Sequence, residues 1–153
     1  MVLTTPLSRA RWAVLGGVGV YAAIGAMTVF TAAGVAIGSG LAGGDVATPI
    51  VGTVVLGLYA AAVAGIGMAV GGVARTSIAG EAAAVVVIAT FLIDLLAPAL
   101  RLPDWVHQLA LTGHLGRPMV GVWDPVGIAA CLALAIGGLL IGSWGLARRD
   151  LRG

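Results

Sequence analysis

Long apolar runs separated by short polar breaks dominate the chain. The first run has no charged residue from Ala13 to Gly44 and directly follows Arg9 and Arg11. A helix needs about 20 apolar residues, at about 1.5 Å each, to cross the hydrocarbon core of a membrane, so this run is long enough. Three further runs follow the same pattern. The chain is therefore predicted to form four transmembrane helices, at about 13–38, 50–73, 78–100 and 125–147.

The breaks between these runs have the composition of loops. Ser39–Pro49 reads SGLAGGDVATP, and its glycines, aspartate and proline are typical of a turn that ends a helix. Ala74–Ser77 is a short link with one arginine. A longer polar segment, Arg101–Asp124, precedes the last run, which opens with Pro125 at a position where the missing N–H of proline costs nothing.

Part of the longer segment has a helical pattern of its own. Residues 102–109 read LPDWVHQL, and in a helix Trp105, Val106 and Leu109 would share one face. Amphipathic helices with tryptophan lie at the headgroup level of a membrane. The pattern predicts a short outer interfacial or re-entrant helix before the last span, with a plain surface loop as the alternative.

Composition supports a membrane protein. Hydrophobic residues make up 60% of the 153 positions and charged residues only 9%, whereas soluble domains carry about 25% charged residues. So little polar surface cannot cover a globule in water. The charges between Trp12 and Ala147 fall mainly at the breaks; they are Asp45, Arg75, Glu81, Asp94, Arg101, Asp104, Arg117 and Asp124.

The distribution of arginines predicts the orientation of the chain. Positively charged residues near the ends of membrane spans stay preferentially in the cytoplasm. With both termini inside, the cytoplasmic arginines outnumber the outer ones by six to two, and the inverted topology reverses this ratio. The six are Arg9, Arg11, Arg75, Arg148, Arg149 and Arg152, and the two are Arg101 and Arg117. Both termini are therefore predicted to be cytoplasmic.

Several kinds of chemistry have no support in the sequence. The chain has no lysine, so it lacks the residue that a P-loop places on nucleotide phosphates, and any ATP hydrolysis would need a separate subunit. One cysteine, Cys131, provides no disulfide framework, and His107 and His114 lack a metal-ligand spacing. No serine has a G-x-S-x-G context. We expect no enzyme activity, cofactor, metal or nucleic-acid partner.

Two acids within the third apolar run are candidate functional residues. A charge in hydrocarbon is costly, so an acid inside a membrane span, here Glu81 or Asp94, is a candidate functional residue. Thirteen residues of helix place them about 20 Å apart, which argues against a paired-carboxylate site. Glu81 lies close enough to the cytoplasmic end to reach water or Arg75. Asp94 has three open roles: a cap, a partner of Arg101, or a group facing a polar cavity.

The glycines suggest close helix packing without identifying the partners. Four G-x-x-x-G pairs occur, at 34–38, 40–44, 67–71 and 138–142, and this spacing marks many helix contacts in membranes. With 25 glycines, about four such pairs arise by chance. The pairs therefore do not select which helices pack together.

Four segments, in their order along the chain, resemble a known family. They read TTPLSRARW, GLAGGD, APALRLPDWVHQLALTGHLGRP and GLARRDLRG. Together they resemble the C-terminal part of bacterial ABC type-2 exporter permeases, of the polyketide antibiotic exporter and multidrug efflux permease type. The resemblance covers nearly all of the sequence.

The resemblance implies an all-helical transmembrane domain in the bacterial plasma membrane that works with a separate ABC ATPase subunit. It also implies that the N-terminal segment contacts that ATPase, and that the segment matching 102–111 is the outer re-entrant helix. The candidate coupling residues are Thr5, Pro6, Leu7, Ser8, Arg9, Arg11 and Trp12.

The chain departs from this family in length. Type-2 permeases usually have six spans in each half, whereas four are predicted here, so residues 1–153 are expected to be one domain of a larger permease unit. Its partner would be a missing permease half or a second copy. The expected function is export of hydrophobic or amphiphilic compounds such as antibiotics. The alternatives are a non-transporting scaffold or truncated remnant, and a small oligomeric ion-coupled carrier that uses Asp94.

Overall fold

The computed structural model describes residues 9–74, 78–99 and 115–149. Four long α-helices account for most of this part of the chain, and their ends lie within four residues of the predicted spans. They are α1 (Arg9–Leu41), α2 (Ala47–Val73), α3 (Ala79–Ala99) and α4 (Pro125–Arg149). The predicted outer helix over 102–109 lies outside the described residues.

Three of these helices contain segments long and apolar enough to cross a membrane, judged within the described residues. The segments are Val14–Leu41, Ala47–Val73 and Pro125–Arg148. In α3 the apolar segment, Ala79–Ile93, is shorter. The prediction of a mostly helical membrane domain is confirmed, and the fourth span remains a prediction.

The turn between α1 and α2 forms because glycine ends α1. Gly43 has a φ of 68°, in the left-handed region that glycine adopts without strain. The N–H of Gly44 donates to the carbonyl of Ser39 at 3.0 Å, and the N–H of Gly43 donates to Gly40 at 3.1 Å. This pair of bonds is a Schellman motif, which satisfies the last carbonyl groups of the helix.

Two aspartates satisfy the first N–H groups of α2 and α4. Asp45 accepts hydrogen bonds from the N–H groups of Ala47 at 3.0 Å and Thr48 at 3.2 Å. Asp124 accepts one from the N–H of Val126 at 2.9 Å. Pro125 follows Asp124 as the first helical residue, as predicted. Because the free N–H groups at a helix start favour negative charge, both carboxylates stabilise these ends.

The helix α2 lies at the centre of the bundle. It packs against α1 and α3 and most extensively against α4, and α1 also contacts α4. Positions 65 and 72 of α2 lie against positions 138 and 142 of α4, so these two helices run parallel. Gly17 of α1 lies against Leu139 of α4, whereas Tyr21 contacts Ala135, so α1 runs antiparallel to α4.

This arrangement gives the bundle two different ends. We call the end formed by the start of α1, the end of α2, the start of α3 and the end of α4 the basic end, because Arg11 and Arg148 lie there. The opposite end holds a small β-hairpin, and we call it the hairpin end.

The hairpin contains the two strands found among the described residues. Strand β1 (Gly116–Arg117) pairs antiparallel with β2 (Val122–Trp123), and a 3₁₀ turn, Pro118–Val120, joins them. Leu115, 2% exposed, anchors it in a core with Val55, Ala62 and Cys131. The turn packs on α2. The all-α prediction therefore needs this small addition. The polar segment Arg101–Asp124 was predicted to hold a short outer helix or a loop, and its sequence pattern did not predict the hairpin.

Apolar side chains cover most of the outer surface of the bundle. On α1, Met27, Phe30 and Leu41 are each more than two-thirds exposed, at 71%, 79% and 86%. Large exposed apolar faces are not compatible with water. The hydroxyl groups of Thr28, Thr31 and Thr53 donate to carbonyl groups four residues earlier in their own helices. These three hydroxyl groups are thus satisfied inside their own helices, as hydrocarbon requires.

Candidate functional site

A groove lies at the basic end of the bundle. Its volume is about 830 Å³, and it lies between the first turns of α1 and the last turns of α4. Val14, Leu140 and Ile141 form its apolar floor, while Arg11 and Trp144 lie on the side nearer the helix ends. The groove therefore changes from apolar to cationic along the bundle axis.

Trp144 and Arg148 form a stacked pair beside this groove. The guanidinium carbon of Arg148 lies 3.7 Å from the centroid of the Trp144 ring. The pair is four residues apart in α4, so both side chains project from one helix face. Cation–π contact of this kind holds an arginine in one orientation. Positive charge is therefore fixed next to the tryptophan, which is 54% exposed.

A second, narrower cleft of about 410 Å³ penetrates between the helices near the same end. Small residues form its walls on all four helices, among them Gly17, Gly67 and Ala83. Met68 and Leu139 supply the larger apolar surface. Since almost every lining group is apolar, the cleft suits hydrocarbon or aromatic groups and has few hydrogen-bonding groups for a polar ligand.

The structure places the predicted coupling residues as follows. Arg9, Arg11 and Trp12 lie in the first turns of α1, which starts four residues before the predicted span. Arg11 is exposed and lines the groove. The other candidates, Thr5, Pro6, Leu7 and Ser8, lie outside the described residues.

The two acid candidates share one continuous helix. Glu81 lies exposed in the first turn of α3, at the basic end, where its charge complements the free N–H groups of the helix. Asp94 lies in the same helix, about 20 Å further along. The side chain of Asp94 is outside the described part, so the choice between its three predicted roles stays open.

Sequence reasoning missed the groove and the stacked pair. A tryptophan and an arginine four residues apart in a predicted helix do signal a shared face, so the pair Trp144 and Arg148 was detectable. The groove was not, because it forms only when α1 and α4, more than a hundred residues apart in sequence, lie side by side.

These features define a class of protein: an all-helical membrane domain with apolar outer faces, one basic end and apolar clefts between helices. A family model described as the C-terminal domain of the multidrug efflux system permease Rv1217c matches residues 1–146. The chain belongs to this family of permease domains. It is accordingly a multi-pass protein of the bacterial plasma membrane. Comparison with curated proteins and with solved structures gives no significant match.

The match confirms the predicted resemblance to the C-terminal part of an exporter permease. It covers 146 of the 153 residues, including the predicted coupling segment.

Proposed function

We propose that this chain is the transmembrane part of an ATP-driven ABC exporter, with a separate ATPase subunit bound beneath the basic end. The observation that carries the proposal is the continuity of α1. One unbroken helix of 33 residues runs from Arg9 to Leu41, so the candidate coupling residues Arg9, Arg11 and Trp12 belong to the same helix as the membrane span.

A displacement at the start of α1 has a direct route into the bundle. Gly17, two turns above Arg11, lies where the side chains of Leu139 and Met68 meet α1; a Cβ there would be 3.0 Å from the Met68 sulfur. Further along, the Tyr21 hydroxyl donates to the carbonyl of Ala135. Movement of α1 therefore changes its contacts with α4 and widens or narrows the cleft.

The lining of the cleft favours hydrophobic or amphiphilic substrates. Such compounds gain about 25 cal/mol for each Å² of apolar surface removed from water. The cleft opens near the basic end, which the arginine count places in the cytoplasm. Export would start there, with α1 rocking between an inward-open and an outward-open arrangement.

A complete pathway needs more than these helices. Four helices do not enclose a wide channel, and no residue in the most apolar stretch of α1 is fully buried. A missing permease half or a second copy of this chain would cover part of that face. The proposal therefore includes a larger assembly around an ATPase dimer.

The test is co-purification of the ATPase subunit with this chain in its native complex. We expect the double variant Arg9→Glu/Arg11→Glu to weaken the association and reduce efflux of an amphiphilic dye. Arg117→Glu, an exposed arginine at the hairpin end, is the matched control and should leave both unchanged.

Other outcomes separate the alternatives. Intact association and efflux in the double variant would show that the N-terminal arginines are not the coupling surface. Transport that persists without any ATPase and disappears in Asp94→Asn would indicate an ion-coupled carrier. No change in drug sensitivity on deletion of the gene would support a non-transporting scaffold or remnant.

A further inference from the structure

The glycines that line the narrower cleft between the helices fall into two groups. Gly17, Gly67 and Gly142 are buried, and a Cβ on any of them would press against a neighbouring helix. Gly16 of α1 and Gly80 of α3 are exposed, and a Cβ on either would meet no atom within 4 Å. Close helix packing therefore requires glycine in the first group and does not require it in the second.

Gly16 and Gly80 lie at the same level of the bundle, on two helices that both pack on α2. On α1, the position after Gly16 lies against the side chain of Met68 in α2. On α3, the position before Gly80 lies against Gly67, the residue next to Met68. Because both glycines line the cleft and are exposed at this level, they form its mouth between α1 and α3.

We propose that Gly16 and Gly80 set the size limit of the compounds that this cleft admits. The inference rests on the proposed export function, since that proposal assigns the cleft to the substrate. A larger side chain at either position would occupy the mouth without displacing a neighbouring helix. These two residues are therefore determinants of specificity, whereas the buried glycines of the cleft hold the helices together.

Selection by size follows from the chemistry of the lining. Ser143 has the only polar side chain among the described residues of the cleft, and its hydroxyl already donates to the carbonyl of Leu140 at 2.9 Å. The cleft therefore takes the uncharged, apolar part of a compound and cannot distinguish compounds by hydrogen bonding. In such a pocket the fit of each carbon decides, and one methylene group changes affinity by about tenfold or more.

Open space beside a glycine does not by itself assign this role. A Cβ at Gly19 of α1 or at Gly137 of α4 would also meet no atom within 4 Å. Neither residue belongs to the described lining of the cleft. Position on the cleft wall is what separates Gly16 and Gly80 from them, and Gly19, on the same helix as Gly16, offers a matched control.

The experiment uses photolabelling of the full chain in phosphatidylcholine vesicles. Benzophenone is an uncharged aromatic probe that attaches to nearby methionine side chains under ultraviolet light. Met68 lines the cleft, whereas Met27, 71% exposed on α1, reports on probe dissolved in the lipid. The ratio of the adduct at Met68 to that at Met27, measured by mass spectrometry, therefore gives the occupancy of the cleft. The larger probe is a benzophenone that carries a tert-butyl group on each ring.

We expect both probes to label Met68 in the natural chain. The paired variant Gly16→Leu/Gly80→Leu should lower the ratio for the larger probe by about tenfold or more, and that for benzophenone by less. Gly19→Leu should leave both ratios unchanged. Gly16→Ala/Gly80→Ala, which adds one carbon at each position, should give an intermediate loss and serves as the test if the leucine pair does not fold. Circular dichroism checks the helicity of each variant.

Several results would overturn the proposal. An unchanged ratio for the larger probe in the folded paired variants, or an equal loss for both probes, would show that the two positions do not select by size. The same loss in Gly19→Leu would point to a general effect on the bundle. Absence of Met68 labelling in the natural chain would show that the cleft does not admit apolar compounds.

The labelling needs neither ATPase nor nucleotide, so its outcome is separate from that of the export proposal. Size selection in vesicles, combined with no efflux by the assembled complex, would contradict export and leave the size limit standing. Efflux by the complex, combined with labelling that the paired variants do not change, would support export and remove the size limit.

Discussion

Gly138 of α4 lies directly against the backbone of Gly65 in α2. A Cβ at Gly138 would overlap the Gly65 carbonyl oxygen. One heptad further along, Gly145 lies against Gly72 in the same way, and between them a Cβ at Gly142 would be 2.6 Å from the carbonyl oxygen of Met68. The two parallel helices therefore touch through their backbones. In lipid, where apolar groups gain nothing by leaving water, such contact is the main source of helix association.

Substitution at this contact should destabilise the bundle. We expect Gly138→Ala to lower the free energy of unfolding by about 1–3 kcal/mol, the usual cost of adding a methyl group to a fully packed interface. Gly137→Ala is the matched control, because a Cβ at Gly137 meets no atom within 4 Å. Thermal unfolding of both variants in detergent, followed by circular dichroism, measures the difference. Equal stability of the two variants would mean that α2 and α4 are less close than described.

The hydrogen bond from Tyr21 to Ala135 should contribute to the contact between α1 and α4. Hydrogen bonds between membrane helices are worth about 0.6 kcal/mol, so Tyr21→Phe should lower stability by about this amount. Tyr59→Phe removes a hydroxyl from α2 that has no hydrogen-bond partner within the described part of the chain, and it should have a smaller effect. Unfolding by sodium dodecyl sulfate titration is sensitive enough to compare them. A larger loss in Tyr59→Phe would contradict the assignment.

Acid should weaken the start of α2. Hydrogen bonds from the Thr48 side chain and from the N–H groups of Ala47 and Thr48 lower the pKa of Asp45 below its ordinary value of 3.8. A lowered pKa means that the carboxylate stabilises the fold above 3.8, and that this contribution is lost as the pH falls through the folded-state value. Asp45→Ala should therefore be less stable than the natural chain at neutral pH, with the difference shrinking in acid.

The control for this prediction is Asp45→Asn. An asparagine has a single acceptor oxygen, so it can keep one of the two backbone hydrogen bonds, and it does not titrate. The stability of this variant should therefore depend less on pH in the acid range. Melting temperatures of the three chains between neutral pH and pH below 3.8 give the comparison. A constant difference between Asp45→Ala and the natural chain over this range would show that the ionised carboxylate is not the stabilising group.

The two ends of the bundle should lie on opposite sides of the membrane. In a Cys131→Ala background, a cysteine introduced by Arg11→Cys should react with a membrane-impermeant maleimide only after the cells are opened. Val120→Cys, in the exposed 3₁₀ turn of the hairpin end, should react in intact cells. Labelling of position 11 from outside intact cells would invert the topology and remove the basis for an ATPase at the basic end.

Much of the fold follows from composition and local pattern. The Schellman turn at Gly43 and the proline at position 125 come from residues whose backbone preferences act locally, and the apolar runs end where charges appear. Such signals need no knowledge of neighbouring helices. The aspartate caps at Asp45 and Asp124 are equally local, since an aspartate just before a helix accepts its first N–H groups, although only the turn around Asp45 was predicted.

The contacts between helices could not be predicted from the sequence pattern. Of the predicted glycine pairs, 138–142 lies in the contact between α2 and α4, whereas a Cβ at Gly34 or Gly38 would meet no atom within 4 Å. Both pairs have the same spacing and similar neighbours in sequence. Only the position of each helix in the bundle distinguishes the two pairs. The spacing shows that one helix face lacks large side chains, but it does not show which helix packs against that face.

The sequence by itself determined that this is a helical membrane domain with arginine-rich ends, because hydrophobic length and charge act on each segment separately. It also suggested the candidate coupling residues, through the resemblance to a family, and these remain a prediction. Only the tertiary structure decided that Arg11 and Trp144 share one groove, and that α2 meets α4 through glycine. Those relationships depend on how distant segments pack, and in lipid that packing is set by the fit of whole surfaces, which no single segment contains.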